Sequence, residues 1–576
     1  MTAGLPGGER VAVDVAVVGS GAAGLMAVRH AHRADPRLRV ALLSKGLVGR
    51  SGCSIMAQGL NAALGADDDP AIHARDIVEH GQGLADPRLA EALARDAPDV
   101  VRELDEELGC AFDRDPRGGL ALAPFPGQSR ARKVSHGHLT GLEVVGRLRD
   151  DLLRTAPLLL EDVRALDLLV DERGVAGLVA LDIRRGRPIV VATRVVVLAA
   201  GGSAAASYRV ATPAREKAGD GLALALRAGL AVRDMEMVQF LSVGLVAGIS
   251  SLTGVLLEEA LRFAGAELRN GRGERFMDRY DPERLERASR DVVARACFTE
   301  IAEGRGTPER AVLLDCRPIG RHVLEARFGE LVARVRLLGL DPATEPIPIA
   351  PAAHIGIGGV VIDEHGVTEL PGLLVAGEDA GGVHGASWAG GNGLAESTVF
   401  GRRAGRRAAE LARLRGRPTR LPEAAIEASL AQASAPLRRP VGESPDVLRR
   451  ELAELLWTSV GLRRDATGLR AALERIVELR ERSSRIGVAG GAAASVAWQE
   501  ALDLASRLAV AEAVTSAALA RTESRGVHVR VDFPNRDDGA WLRPVVVRGL
   551  PGALDVSLGP VPCDLSGVDV AGRPTR

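Results

Sequence analysis

"VAVVGSGAAGL", residues 15–25, decides the fold. A run of Val and Ala gives way to Gly19-Ser20-Gly21-Ala22-Ala23-Gly24, and helix-forming residues follow as far as Arg33. Strand, glycine turn and helix in that order are the pattern of a dinucleotide-binding crossover. The chemistry needs glycine at these positions for a tight turn, for close approach of the backbone to a pyrophosphate, and for tight packing of helix on strand. The helix that Ala22 and Ala23 open then offers free N–H groups and a positive dipole end to the phosphates. "RVALLSK" (39–45) follows as a second strand. At its end, where an acid often holds the ribose, stand Ser44 and Lys45, and a Ser hydroxyl can serve that role.

Working outward, residues 86–108 and 140–155 carry helical periodicity, while "GVAGLVALDI" (174–183) and "PIVVATRVVVLAAGG" (188–202) alternate like strands. The second of these ends on small residues, Ala199-Ala200-Gly201-Gly202. Sheet patterning returns at "GGVVID" (358–363) and "GLLVAGEDAGG" (372–382), and a helix starts after Asn392. "GRPTRLPEAA" (416–425) is a Pro/Arg linker, and residues 423–520 are rich in Ala, Leu, Arg and Glu at helical spacing. From Val527 the chain returns to short strands with Pro and Gly. The spacing predicts an α/β fold: a Rossmann-like nucleotide-binding domain over 1–242 and 351–415, interrupted by an α+β domain over 243–350. A C-terminal helical domain over 423–535 and a tail over 536–576 complete it.

The choice between NAD and FAD falls to FAD. A second strand ending in Ala376-Gly377-Glu378, hundreds of residues after the first, implies an extended cofactor touched from two distant segments. "EKAGDGLALALRAG" (216–229) puts Asp220 in a glycine turn before a helix, placed either to accept from ribityl hydroxyls or to cap the helix.

At 576 residues, two or three domains are required. Hydrophobic content of 46% and charged content of 26% are those of a globular protein. Lys+Arg 74 against Asp+Glu 75 gives no reason to expect nucleic acid or an anionic membrane as partner. The five cysteines are dispersed with no CxxC pair, so neither a disulfide framework nor an iron–sulfur or zinc site is read, and no metal is expected. The N-terminus lacks the basic start and apolar stretch of a signal peptide, and no uncharged apolar run reaches about 18 residues. A cytoplasmic protein without direct membrane insertion is expected.

Many ordered motifs now accumulate: "VVGSGAAGL", "ALLSKGLVGRSGCSIMAQGLNAALG" (41–65), "PFPGQS" (124–129), "AGDGLALALRAGLAVRDMEMVQF", "SRDVVARACFTEIAEGRG" (289–306), "AAHIGIGGV" (352–360), "GLLVAGEDAGGVHGA", "VFGRRAG" and "RTESRGVHVRVDFPNRDDGAWL" (521–542). Nearly end to end, the sequence resembles the flavoprotein subunit family of succinate dehydrogenase and fumarate reductase, which includes L-aspartate oxidase. The resemblance implies an FAD domain split by a mobile capping domain, with the active site between them and a helical domain behind. It also implies hydride transfer between flavin N5 and a substrate carbon. Residue by residue, Gly19, Gly21 and Gly24 would hold the pyrophosphate with Ala22 and Ala23. Ser44 and Lys45 would lie by the adenosine, and Ser51, Gln58 and Gly59 near the flavin. The turn at Ala200 and Gly201 would border the cofactor, Asp220 and Glu378 would bind ribityl or ribose hydroxyls, and Asn392 with Leu394 would border the isoalloxazine. Arg290 matches the arginine that shuttles the proton, His354 the substrate-binding histidine, and Phe125 an aromatic that packs against substrate.

The sequence departs from the family at the recognition end. The family's N-R-x-G-x-N-S-L is Ser387-Trp388-Ala389-Gly390-Gly391-Asn392-Gly393-Leu394, so the carboxylate-clamping arginine is replaced by Trp388. The family's H-P-T-G is Leu241-Ser242-Val243-Gly244, and its T-E is Glu258-Glu259. The histidine that some members link to FAD is absent, with Cys53 close to its place, so non-covalent FAD is expected. A hydrogen bond to a charged group contributes about 1.5–3 kcal/mol. Loss of both the arginine and the histidine therefore removes roughly two to four orders of magnitude in carboxylate affinity. The expected substrate is larger than succinate, or carries one carboxylate with an apolar or cationic end that Trp388 and Leu241 contact and from which Glu258 accepts. Arg262 and Arg402 are the other arginines that could fill the clamping role. Three functions remain open: oxidation or reduction of a C–C bond next to an electron-withdrawing group, an amino-acid or amine oxidase like L-aspartate oxidase, and a flavoprotein subunit of a larger electron-transfer complex. With no haem or cluster ligands in the chain, electrons leave to O2, a diffusible carrier or an electron-transfer protein.

Overall fold

The strand Val15–Val18 is the middle of a five-stranded parallel sheet, flanked by Val196–Leu198 and Val40–Ser44, with Leu373–Val375 and Leu158–Glu161 at the edges. This is seen in a computed structural model, which describes residues 8–561 apart from 126, 156, 203, 213–215, 249, 251 and 258. All four residues of the middle strand are buried. A parallel sheet covered on both faces demands such unbroken Val/Ala runs, and that is why the opening segment reads as it does.

The helix Ala22–Ala34 packs along the long helix Asn392–Arg415. A Cβ on Gly401 would lie 2.3 Å from the Ala23 carbonyl oxygen, and one on Gly405 the same 2.3 Å from that of Ala27. Two glycines one turn apart thus let the two helix backbones meet, and this contact brings both helix N-termini to the carboxyl end of the sheet.

The stretch between residues 238 and 356 carries its own antiparallel sheet, in the order Val238–Leu245, Ile347–Gly356, Val312–Asp315, Glu267–Arg269. Helices Arg290–Ala302 and Arg321–Arg336 accompany it. The chain is therefore a Rossmann-like FAD-binding domain interrupted by an α+β capping domain. Helices Glu423–Ser434, Pro445–Ser459, Ala466–Ser483 and Val496–Ala520 form the C-terminal helical domain. The strands Val545–Arg548 and Asp555–Leu558 join the sheet of Val232–Arg233 and Gly359–Val361, so residues 545–558 return to the first domain. Among the described residues, no helix is long and apolar enough to cross a membrane and no group of three metal-ligating side chains gathers.

Candidate active site

Gly19 has φ +110°, and a Cβ there would lie 2.0 Å from the carbonyl oxygen of Ala199; on Gly24 it would lie 1.8 Å from that of Gly19. No other residue fits either place. The helix that follows is N-capped by Gly21 without a side-chain hydrogen bond. Its Ala22 N–H donates to Ser54 Oγ at 3.1 Å. Ser20 and Ser44 hydroxyls pair at 2.7 Å at the end of the second strand.

A second turn faces this one. Asp379 accepts from the N–H groups of Gly201 (3.1 Å) and Gly202 (2.8 Å), which locks the Ala199–Gly202 turn. Glu378 Oε2 lies 2.6 Å from Lys217 Nζ, and its Oε1 accepts from the Gly356 N–H at 3.2 Å. Gly59 is required by Lys133, whose Cγ would be 2.5 Å from an added Cβ. The Gln58 carbonyl accepts from Thr140 Oγ1 at 3.0 Å, and Ser51 Oγ donates to the Leu47 carbonyl at 3.2 Å.

Asn392 opens the long helix behind Gly391, again without a side-chain cap. Its Oδ1 accepts from Asn61 Nδ2 at 2.8 Å and stands 3.2 Å from His73 Nε2, whereas its Nδ2 is buried with no partner. Leu394 is buried in the turn that follows. Two helix N-termini whose N-cap glycines supply no side-chain cap, a glycine cradle and an orphaned amide donor suit an anionic, acceptor-rich dinucleotide, and FAD fits these residues. When bound, FAD supplies hydride transfer at its N5.

Lys45 and Asp220 have other partners than a cofactor alone. Lys45 Nζ lies 2.9 Å from Asp220 and 2.6 Å from Asp503 of the C-terminal helix, and donates to the Glu216 carbonyl at 2.7 Å. Asp220 also meets Arg164 at 2.6 Å and Ser506 Oγ at 2.8 Å. Burial opposes its charge, but Arg164 and Lys45 outweigh it and hold the carboxyl well below the usual range. The expected cofactor acid is thus first of all a tie between the nucleotide domain and the C-terminal helix.

At the reactive end, Arg290 is the first residue of helix Arg290–Ala302. Its Nη2 and Nε lie 2.9 and 3.1 Å from the two carboxylate oxygens of Glu259. Ser242 Oγ donates to Glu259 Oε1 at 3.2 Å. Burial works to raise the Glu259 pKa, yet the Arg290 charge and hydrogen bond bring it below the ordinary value. His354 Nδ1 pairs with Thr212 Oγ1 at 2.7 Å. Its pKa falls to about 3, through burial first and then the charges of Arg290 and Lys217, so the ring is neutral.

The Trp388 ring is 5.4 Å from that of His354, tilted by 53°. The indole lies over Gly393, where a Cβ would be 3.3 Å from its Nε1, and that nitrogen has no hydrogen-bond partner. The Trp388 N–H donates to Gln239 Oε1 at 3.4 Å, and Gln239 Nε2 donates to Asp291 Oδ1 at 3.1 Å, next to Arg290. Phe125 covers Gly390, whose Cβ would meet its Cε1 at 2.0 Å. Leu241 is buried, 7% exposed. Glu258 lies outside the described residues.

The two alternative arginines do not restore the clamp. Arg402 stands ten residues along the long helix from Asn392, about 15 Å by helical rise, and its nearest acid is Glu103 at 3.8 Å. Arg262 is buried with Nη1 on the Ala288 carbonyl at 3.3 Å and Nη2 3.6 Å from Glu259. Arg290, Glu259, His354 and Trp388 are linked by contact or charge, and Phe125 packs against the same 387–393 loop. Sequence reasoning missed Asp379, Lys217, Gln239 and Thr212. The doublet Glu378-Asp379 was the one visible signal, and the rest are ordinary polar residues until the fold assembles them.

A neutral His354 fixes a pH dependence. Its pKa falls from 6.5 when unfolded to about 3 when folded, so between those values the unfolded chain binds the extra proton. Stability contributed by this group is complete above pH 6.5 and is lost as pH falls toward 3. Scanning calorimetry is expected to show a shallower acid loss of Tm in His354→Gln than in the native protein. Equal slopes would mean that the imidazole titrates normally.

Fold and site together define an FAD-dependent oxidoreductase. The chain matches the model of the FAD binding domain over residues 14–394 and that of the fumarate reductase flavoprotein C-terminus over 449–570. It is 40% identical over 538 residues to a fumarate reductase (CoM/CoB) chain of Methanothermobacter marburgensis, covering 93% of this chain and 96% of that one. It is 36% identical to the L-aspartate oxidase of Streptomyces coelicolor, covering 94% and 92%. An E. coli quinol fumarate reductase chain superposes with a TM-score of 0.88 at 30% identity, covering 97% of this chain and 99% of that one. The chain belongs to the flavoprotein family of succinate dehydrogenase and fumarate reductase, with L-aspartate oxidase.

Proposed function

We propose that this flavoenzyme transfers hydride between flavin N5 and a C–C bond next to an electron-withdrawing group, in a substrate other than simple fumarate or succinate. The observation that carries this is the indole of Trp388 beside His354, with neither Arg402 nor Arg262 moved into the clamping role. In this reading Arg290, on the 243–350 cap, polarises the substrate and passes the proton. A guanidinium keeps its charge and is an unusual acid; Glu259, in contact with both Arg290 and Ser242, provides the path by which a proton reaches or leaves it. Neutral His354 orients the electron-withdrawing group by a hydrogen bond, and Phe125, Trp388 and Leu241 enclose the apolar part. When the substrate is oxidised, electrons leave to O2, a diffusible carrier or an electron-transfer protein; when it is reduced, an electron-transfer protein or diffusible carrier supplies them.

The test is anaerobic. The photoreduced holoprotein is mixed with fumarate and with singly charged and neutral enoates, and the oxidised holoprotein with succinate and with amines. Fumarate is expected to reoxidise the flavin with kcat/KM about 100-fold or more below the best singly charged or neutral enoate. Fumarate at parity with that enoate would overturn the proposal, and bleaching of the oxidised flavin by an amine alone would favour an oxidase acting on C–N bonds.

A further inference from the structure

Lys217 carries its ammonium between Glu378 and the Gly201 turn. The side chain is 5% exposed, and Nζ donates to Glu378 Oε2 at 2.6 Å. Its stem lies against Gly201, where a Cβ would be 3.2 Å from Cε. Cys53, beside the Ser54–Met56 turn, is its other neighbour. Its main chain is held as well, since Arg507 Nη2 donates to the Lys217 carbonyl at 2.7 Å. A buried ammonium persists only when paired. Burial opposes the charge here, but Cys53 and Glu378 outweigh it and raise the pKa above that of an ordinary lysine. The charge also reaches the far side of the site, where it helps keep His354 neutral. Glu378 Oε1 has one long hydrogen bond, from the Gly356 N–H at 3.2 Å, and so keeps accepting capacity.

We propose that Lys217 is a positioning residue for FAD: it fixes the Glu378 carboxylate so that a ribityl hydroxyl can donate to it, and it places a positive charge beside the flavin as electrons arrive. The inference rests on the assignment of Glu378 to the cofactor. It has two separable consequences. Removing the cation leaves the 16%-exposed Glu378 carboxylate without its ion-pair partner and loosens FAD. It also disfavours the reduced flavin, which carries more negative charge, and so lowers the potential. Removing the carboxylate instead loosens FAD but raises the potential. A purely structural pair would not move the potential in opposite directions.

FAD dissociation constants, by fluorescence titration of the apoprotein, and two-electron potentials, by equilibration of the holoprotein with reference dyes, are to be compared across variants. Lys217→Met is expected to bind FAD about tenfold more weakly. Its potential is expected to fall by about 30 mV, the equivalent of a tenfold lost preference for the reduced form. Lys217→Arg is expected to stay within about threefold of the native affinity, since it keeps the charge. Glu378→Gln is expected to loosen FAD and shift the potential upward. If Lys217→Met does not fold, the Lys217→Met/Glu378→Gln double variant has no orphaned charge and takes its place. Its FAD affinity is expected to match Glu378→Gln while its potential lies below it. Native affinity and potential in Lys217→Met, or a double variant with the potential of Glu378→Gln, would overturn the inference. Native FAD affinity in Glu378→Gln would instead overturn the assignment of Glu378, and the inference with it.

Discussion

Arg290→Ala is expected to keep its FAD and to turn over about 100-fold or more slowly. The side chain starts a helix of the capping domain and is held by Glu259 through two of its nitrogens. Its hydrogen-bond partner is Glu259, and none of the residues proposed to cradle the pyrophosphate bonds to it, so flavin absorbance and FAD stoichiometry should not change. Truncation also takes the main partner from the Glu259 carboxylate, which is 25% exposed and keeps Ser242 at 3.2 Å and Arg262 at 3.6 Å, so the loss is below the about 3–5 kcal/mol of an unpaired, fully buried charge. The Glu259 pKa should then rise, because the Arg290 charge is the largest of the influences that lower it, ahead of Arg262 and Ser242. Arg290→Ala/Glu259→Gln separates the two effects. It removes the acid that has lost its main partner, so its Tm should recover while turnover stays low. Arg290→Lys keeps a charge but not the planar fork, and should restore only part of the rate. Native turnover in a folded, FAD-loaded Arg290→Ala would remove the guanidinium from the mechanism.

Trp388→Arg should give the site what its indole excludes. A charge-assisted hydrogen bond contributes about 1.5–3 kcal/mol, so succinate, read by perturbation of the flavin spectrum, is expected to bind roughly 10- to 100-fold more tightly. The indole covers Gly393, and its removal uncovers that position. Trp388→Arg/Gly393→Ser rebuilds the family pattern on both sides and should gain at least as much. The best enoate of the native enzyme should lose affinity at the same time, because the aromatic wall beside His354 is gone. If the variant retains FAD and succinate affinity does not rise, the 384–394 loop does not contact substrate as proposed.

Much of this was legible before any fold was known. The glycine turn, the Val/Ala strand before it, the inserted α+β domain and the helical domain behind the linker all follow from local patterning. The departure at Trp388 was legible too, because it stands inside a motif whose neighbours keep their identity. The partners of the charged residues were not legible. Local sequence points Lys45 and Asp220 at the cofactor, and nothing near them leads to Asp503, Ser506 or Arg164. Lys45 and Asp503 are 458 residues apart. The same holds for Arg402, close to the 384–394 loop in sequence yet set beside Glu103 by the direction of its helix.

By itself the sequence determined where glycine must stand, where strands and helices run and which family's chemistry the chain carries, because steric limits on a backbone turn and the periodicity of burial act over a few residues. Only the tertiary structure decided which of 74 basic and 75 acidic side chains face one another. Charges act through space, and the distances between them exist only after distant segments have packed.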